Sequence, residues 1–206
     1  MNLFILDEDP VIAASLNCDT HVNKIILEAT QCMCAAHWEY DFPLLRFAPV
    51  KLQEGKYRGA THHNNHVTKW VRETTSNYKW TYNHAVELCR QHRYRYNKPF
   101  DHASLEIVHW LGQNIPDIPI GPQTKFRQAV AEECYHNNPV VAYWAYYAIC
   151  KSHLTSWKRV ETPSWYLSLT RKLIGSATAS EILKYAEELY EKQKSDQITF
   201  GGLIPA

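Results

Sequence analysis

The sequence predicts a mainly α protein: one compact helical domain over residues 1–174, with long loops, followed by an appended C-terminal helix and tail over residues 175–206. Three observations predict it. Apolar residues recur every three and four positions over long stretches, the period of a helix with one buried face. Residues that start and stop helices flank those stretches. Prolines crowd into segments between them, where no regular element can form.

"MNLFILDEDP" reads as a short extended segment that ends at a helix start, with Asp9 as cap and Pro10 at the first helical position. One helix is then expected to run to about Trp38, burying Val22, Ile25, Ile26, Ala29 and Met33. Residues 41–66 read as loop. A second long helix is expected over 67–94, stopped by Asn97 and Pro99. Residues 101–111 read as a short helix, and "GQNIPDIPIGP", with three prolines, as irregular chain. A further helix is expected over 139–157, and "TPSWY" is read as breaking it. The last helix begins near Thr178, where Thr-Ala-Ser-Glu offers a capping box closed by Glu181, and runs to about Lys194. There is no internal repeat.

Composition narrows the function classes. Hydrophobic content of 45% and charged content of 21% fit a globular chain with a core. No apolar run is long enough to span a bilayer, and no signal-type stretch opens the sequence. Six cysteines without framework spacing fit a reducing compartment, so a cytoplasmic location is expected. Neither GxGxxG nor GxxxxGK occurs, and no cofactor is expected. Net charge is only +1, yet Leu88 to Phe100 carries four Arg or Lys and no acid.

The most informative stretch is "CDTHVNKIILEAT". On one continuous helix Asn17, His21, Lys24, Glu28 and Gln31 fall on one side, because residues three and four apart are neighbours. The row reads either as a solvated face or as the floor of a site. The lysine lies N-terminal to the glutamate, the less helpful order for helix support. The row also combines an imidazole, an amine and a carboxylate, the groups that imine chemistry with proton transfer needs. Two amines are candidates, Lys24 and the α-amine of Met1, and the sequence ranks neither.

Asp19, His21 and Glu28 resemble the first helix of the phage pyrimidine-dimer DNA glycosylase/AP lyase family, often called endonuclease V, in which an Asp-x-His precedes the catalytic glutamate by the same spacing. "NHVTKW" with "VELCRQHRYRYN" is similar to that family's second helix and its exit. "TPSWY" is similar to its aromatic segment near the C-terminus. The resemblance covers three patches within residues 1–166. It implies a helical DNA-repair enzyme with Glu28 as the carboxylate, Met1 or Lys24 as the amine and His21 as a positioning group. It also implies duplex DNA as partner, a damaged pyrimidine as target and no cofactor. The sequence departs from the family where Leu27 and Gln31 replace basic residues, and at Asn2, whose bulk keeps Met1 in place.

"RQHRYRYNK" interleaves cations and rings, as phosphate contact and base stacking require, although cations at a helix C-terminus serve stability equally well. Arg93, Arg95 and Lys98 are the candidate nucleic-acid grips, with Lys56 and Arg58 from the loop beside them. "THHNNH" adds His62, His63 and His66 as further nucleic-acid contacts. His62 and His66 stand four apart, as zinc ligands can, but no carboxylate or cysteine joins them, and no metal site is expected. "QCMC" is not read as a metal or redox pair. The rings of "AYWAYYAI" read as core, and the apolar stripe Ile182, Leu183, Ala186, Leu189 and Tyr190 as a docking face for the body or for a second copy.

Two other readings stay open. One is a different base-directed, nucleic-acid-modifying enzyme, which would leave no nicked strand. The other is a non-catalytic module that binds nucleic acid or a partner, in which the polar row is only a surface.

Overall fold

The computed structural model describes residues 1–49 and 62–201, with side chains described to residue 196. Among these residues every regular element is a helix, as the apolar periodicity requires. No helix there is long and apolar enough to cross a membrane. The chain separates into two compact units, residues 1–129 with 156–161, and residues 130–155 with 162–206.

The first unit holds α1 (Pro10–Leu16), α2 (Asp19–Tyr40), α3 (Phe42–Leu45), α4 (His66–Val71), α5 (Thr75–Arg95) and α6 (Leu105–Gln113). Asp9 caps α1 by accepting from the N–H groups of Val11 and Ile12, with Pro10 at the first turn. The single helix expected from Pro10 to Trp38 is in fact two. Asn17 turns away from helical geometry at ψ 141, its amide donates back to the Ala13 carbonyl, and Arg95 draws the Asn17 carbonyl inward. Asn17 is therefore buried in the break and does not belong to the α2 row.

The expected helix over 67–94 is likewise split. Thr74 caps a fresh start at Asn77, and the Thr75 N–H is taken by the Pro119 carbonyl. α5 ends as the sequence indicates. Asn97 adopts φ 50, the left-handed conformation that asparagine tolerates, and the Lys98 N–H returns to the Arg93 carbonyl. α2 packs on α5, α4 and α6, and α1 packs on α5.

Two buried histidines tie these helices together. The His37 ring on α2 meets the Tyr78 hydroxyl at 3.1 Å, and that hydroxyl donates to the Leu111 carbonyl. His84 Nδ1 lies 3.0 Å from the Pro10 carbonyl, a bond it makes as donor. Burial pushes both imidazoles down to about 4. The folded chain keeps them neutral, whereas the unfolded chain protonates near 6.5. Their stabilisation is therefore complete above pH 6.5 and is lost as pH falls towards 4. At pH 4.5 the loss should be about 2–3 kcal/mol for each. Urea unfolding followed across this range checks it, and His84→Asn, which keeps a donor for Pro10, should remove about one proton from the slope.

The second unit holds α7 (Pro139–Cys150), α8 (Ser164–Ile174) and α9 (Ala179–Gly201). α7 was expected to reach Trp157 but ends at Cys150, with one short 3-10 turn over Ser152–Leu154. Beyond it the chain leaves for the first unit, where Ser156 and Lys158 bond to Asp19 and Trp157 donates to the Leu16 carbonyl. "TPSWY" is not merely a break: after Pro163 it opens α8, with Trp165 stacked on Trp144 at 4.9 Å. The capping box of α9 is formed, the Glu181 carboxylate accepting from the Thr178 N–H at 2.8 Å and the Thr178 hydroxyl at 2.9 Å. The apolar stripe of α9 packs on α7 and α8, with Ile182 and Ala186 fully buried. Cys134 and Cys150 of this unit lie with their sulfurs 3.9 Å apart.

Candidate active site

The N-terminal segment, not the α2 row alone, builds the site. Leu3, Phe4, Ile5 and Leu6 are buried, which anchors the segment in the core of the first unit. Phe4 stands at φ 46, a left-handed conformation that costs a bulky residue on the order of 1 kcal/mol. Three contacts hold it there. Its N–H donates to the Asn2 side-chain carbonyl at 3.0 Å, its carbonyl accepts from the Leu6 N–H at 2.9 Å, and its ring stacks on His21 at 4.0 Å. Asn2 is fixed in turn by its amide, which donates to the Ala129 carbonyl at 2.8 Å.

The kink presents the first two residues to Glu28. Glu28 Oε2 accepts the Asn2 backbone N–H at 2.6 Å and lies 4.0 Å from the α-amine of Met1. Its other oxygen, Oε1, faces Lys24 Nζ at 3.4 Å. One carboxylate is thus flanked by two amines, one on each oxygen. The Glu28 side chain is only 14% exposed, whereas that of Lys24 is 64% exposed. A lysine becomes a nucleophile at working pH through desolvation or a cationic neighbour. An α-amine, with an ordinary value of about 7.7–8.0, needs neither. Both amines border Glu28, with the Met1 side chain 3% exposed and Lys24 at the open side.

His21 is buried, and its ring stacks on Phe4 of the kinked segment. Asp19 is buried too. Its carboxylate accepts from the Lys158 N–H and the Ser156 hydroxyl, each at 2.9 Å, and meets Arg95 Nη1 at 3.4 Å. Cys32, one turn beyond Glu28, contacts the Thr68 hydroxyl, and burial pushes its thiol up to about 12. Cys34 is raised by the same cause, so "QCMC" is two inert core thiols.

The expected nucleic-acid contacts divide into several groups. Arg95 is a correction. It is 2% exposed, its guanidinium spent on Asp19, Gln91 and the carbonyls of Asn17 and Ser15, and it cannot grip a phosphate. Arg93 is exposed and paired with Asp101 at 3.0 Å. Lys98 is exposed beside it, its side chain in no ion pair among the described residues. Lys56 and Arg58 lie outside the described residues. His62 is exposed, His63 pairs with Glu39, and His66 Nε2 meets the Gln128 carbonyl at 2.9 Å. Asn65 caps α4, accepting from Val67 and Thr68. Among the described residues no group of three or more His, Cys, Asp or Glu is gathered as a metal site.

Comparison of the chain with protein-family models, with curated proteins and with solved structures found no match. The functional reading therefore rests on the Glu28 arrangement. Two of its parts escaped the sequence: the Asn2 backbone donor and the Phe4 kink. No residue type announces a left-handed phenylalanine. A run of four buried residues directly after Asn2 is the one signal that could have marked the segment as anchored.

Proposed function

We propose that this chain is a DNA glycosylase/AP lyase that acts on damaged pyrimidines, as its resemblance to the pyrimidine-dimer family implies. One observation carries the reading: a sheltered carboxylate, Glu28, with the Met1 α-amine 4.0 Å from one oxygen and Lys24 Nζ 3.4 Å from the other.

In the proposed reaction the neutral Met1 amine attacks C1′ of the damaged nucleotide. The bond from C1′ to the base breaks, and the base leaves with the pair of electrons and is protonated. The nitrogen sheds a proton to Glu28 while the sugar ring opens, O4′ takes up a proton, and a C1′ imine remains. Loss of a proton from C2′ then expels the 3′-phosphate by β-elimination, and water hydrolyses the imine to free the amine. Glu28 serves twice, as proton acceptor and as the negative charge beside a cationic sugar. Lys24 would steer the neighbouring phosphate. Arg93 and Lys98 are further cations for the strand, and Arg95 is not among them.

Borohydride trapping tests this. The protein is mixed with a duplex bearing one abasic site, reduced, and run on a denaturing gel. A covalent adduct is expected with wild type and with Lys24→Ala, and none with the N-terminus acetylated. An adduct lost in Lys24→Ala but kept after acetylation would transfer the nucleophile to Lys24. No adduct and no cleavage, on abasic or ultraviolet-treated DNA, would sink the lyase reading. The polar row would then be a surface, as in the binding-module alternative.

A further inference from the structure

The open face of α2 has a second flank. Asn23 stands five residues before Glu28, about 7.5 Å along the axis and about 140° around it. Thr20, Lys24 and Leu27 form the exposed strip between the two. On its flank Asn23 lines a cleft of about 350 Å³ with His92 of α5 and the segment from Lys98 to Ala103. A second hollow of about 320 Å³ shares Asp101, His102 and Ala103 and extends to His109 of α6. Such volumes suit a ligand of nucleotide size.

The lining has three kinds of group. Phe100, at the rim, is 81% exposed, a large ring left open among the described residues. The His92 and His102 rings meet edge to face at 4.9 Å, and among the described residues His92 Nδ1 is buried without a hydrogen-bond partner. His102 Nδ1 accepts the Ser104 N–H at 3.1 Å, which leaves the proton of the neutral ring on Nε2. Burial lowers both histidines, with help from Lys98 at His92 and from His92 at His102, so both rings are neutral at pH 7. Lys98 supplies a positive charge to the cleft, which Arg93, paired with Asp101, does not line.

A bare anion site would need several cations, and here a carboxylate, Asp101, shares the wall. An exposed ring, neutral donors and acceptors, a carboxamide and one ammonium match instead the plane, the edge and the phosphate of a nucleotide. We propose that this cleft is a nucleobase subsite, holding one nucleotide of a strand that crosses the exposed strip of α2 from the Glu28 flank. Phe100 stacks on the base, Asn23 and His92 bond to its edge, and Lys98 takes the phosphate. This rests on the reading of the chain as a nucleic-acid enzyme, but it does not pass through the amine.

Titration of isotopically labelled protein with each of the four deoxynucleoside monophosphates, and separately with inorganic phosphate, tests the cleft by NMR. Nucleotide should move the His92 and His102 ring signals and the Asn23 amide, and phosphate alone should not. Phe100→Ala should weaken nucleotide binding about fivefold or more, while the borohydride adduct on an abasic duplex persists. His92→Leu should weaken it as well, with the dispersion of the spectrum reporting that the fold is intact. Equal shifts with phosphate alone would reduce the cleft to an anion site and overturn the proposal. So would an absence of shifts, or affinity indifferent to both substitutions. Nucleotide binding that survives in a protein giving no borohydride adduct would instead overturn the lyase reading and leave the subsite standing.

Discussion

Glu28→Gln should slow cleavage at an abasic site by about 100- to 10,000-fold, the range spanned by a positioned proton-transfer group, and leave the fold in place. Glutamine retains a side-chain oxygen for the Asn2 N–H, which donates to Glu28 at 2.6 Å, so the kinked segment keeps its anchor. What disappears is the charge between two amines and the ability to take a proton from either. Single-turnover cleavage separates the chemical step from binding. The midpoint of thermal unfolding should move little in the same variant. A rate within a few-fold of wild type would end the proposal that Glu28 is the catalytic carboxylate, however tightly the DNA is bound.

The largest effect on stability is expected at Arg95. Its guanidinium bonds to the carbonyl of Asn17 at 2.7 Å, to the side chain of Gln91 at 3.0 Å and to Asp19 at 3.4 Å. Replacing it by methionine preserves bulk but strands Asp19, which is 2% exposed, among groups that no longer balance its charge. Breaking a buried pair from one side costs about 3–5 kcal/mol. Arg95→Met should lose that much in urea unfolding. Asp19→Asn added to Arg95→Met should recover part of it, since the amide carries no charge and its oxygen still accepts from the Lys158 N–H, which donates to Asp19 at 2.9 Å. Arg93→Met, at an exposed pair with Asp101, should lie within about 1 kcal/mol of wild type. If Arg95→Met were equally mild, the pair would not hold the α1–α2 junction.

This contrast explains which parts of the molecule could be read from its sequence. Local signals were sufficient wherever a helix end is settled by its own neighbours. Asp9 and Pro10 start α1, Asn97 stops α5, and Thr178 with Glu181 opens α9. The breaks at Asn17 and at Arg72–Thr74 escaped because distant groups make them: the Arg95 guanidinium in one case, the Pro119 carbonyl in the other. Arg95 itself was misread for a similar reason. A cation in the last turn of a helix has the same sequence signature whether it points into water or into a buried carboxylate. At the site, the Lys24–Glu28 pair follows from four-residue spacing, whereas the Met1 amine reaches Glu28 through the left-handed turn at Phe4. The His92–His102 cleft sets a residue of α5 against a residue of the loop that follows it, which no periodicity reports.

The clasp on Asp19 has a consequence for the order of synthesis. Its partners Ser156 and Lys158 come from a stretch that rejoins the first unit only after residues 130–155 of the second have been made. A nascent chain that has released residues 1–129 owns the six helices described for the first unit yet lacks the hydroxyl and the N–H that close its α1–α2 corner. Usual N-to-C folding on the ribosome is therefore interrupted here. The helices bearing the site can assemble early, but their last fastening waits for about three quarters of the protein to be made.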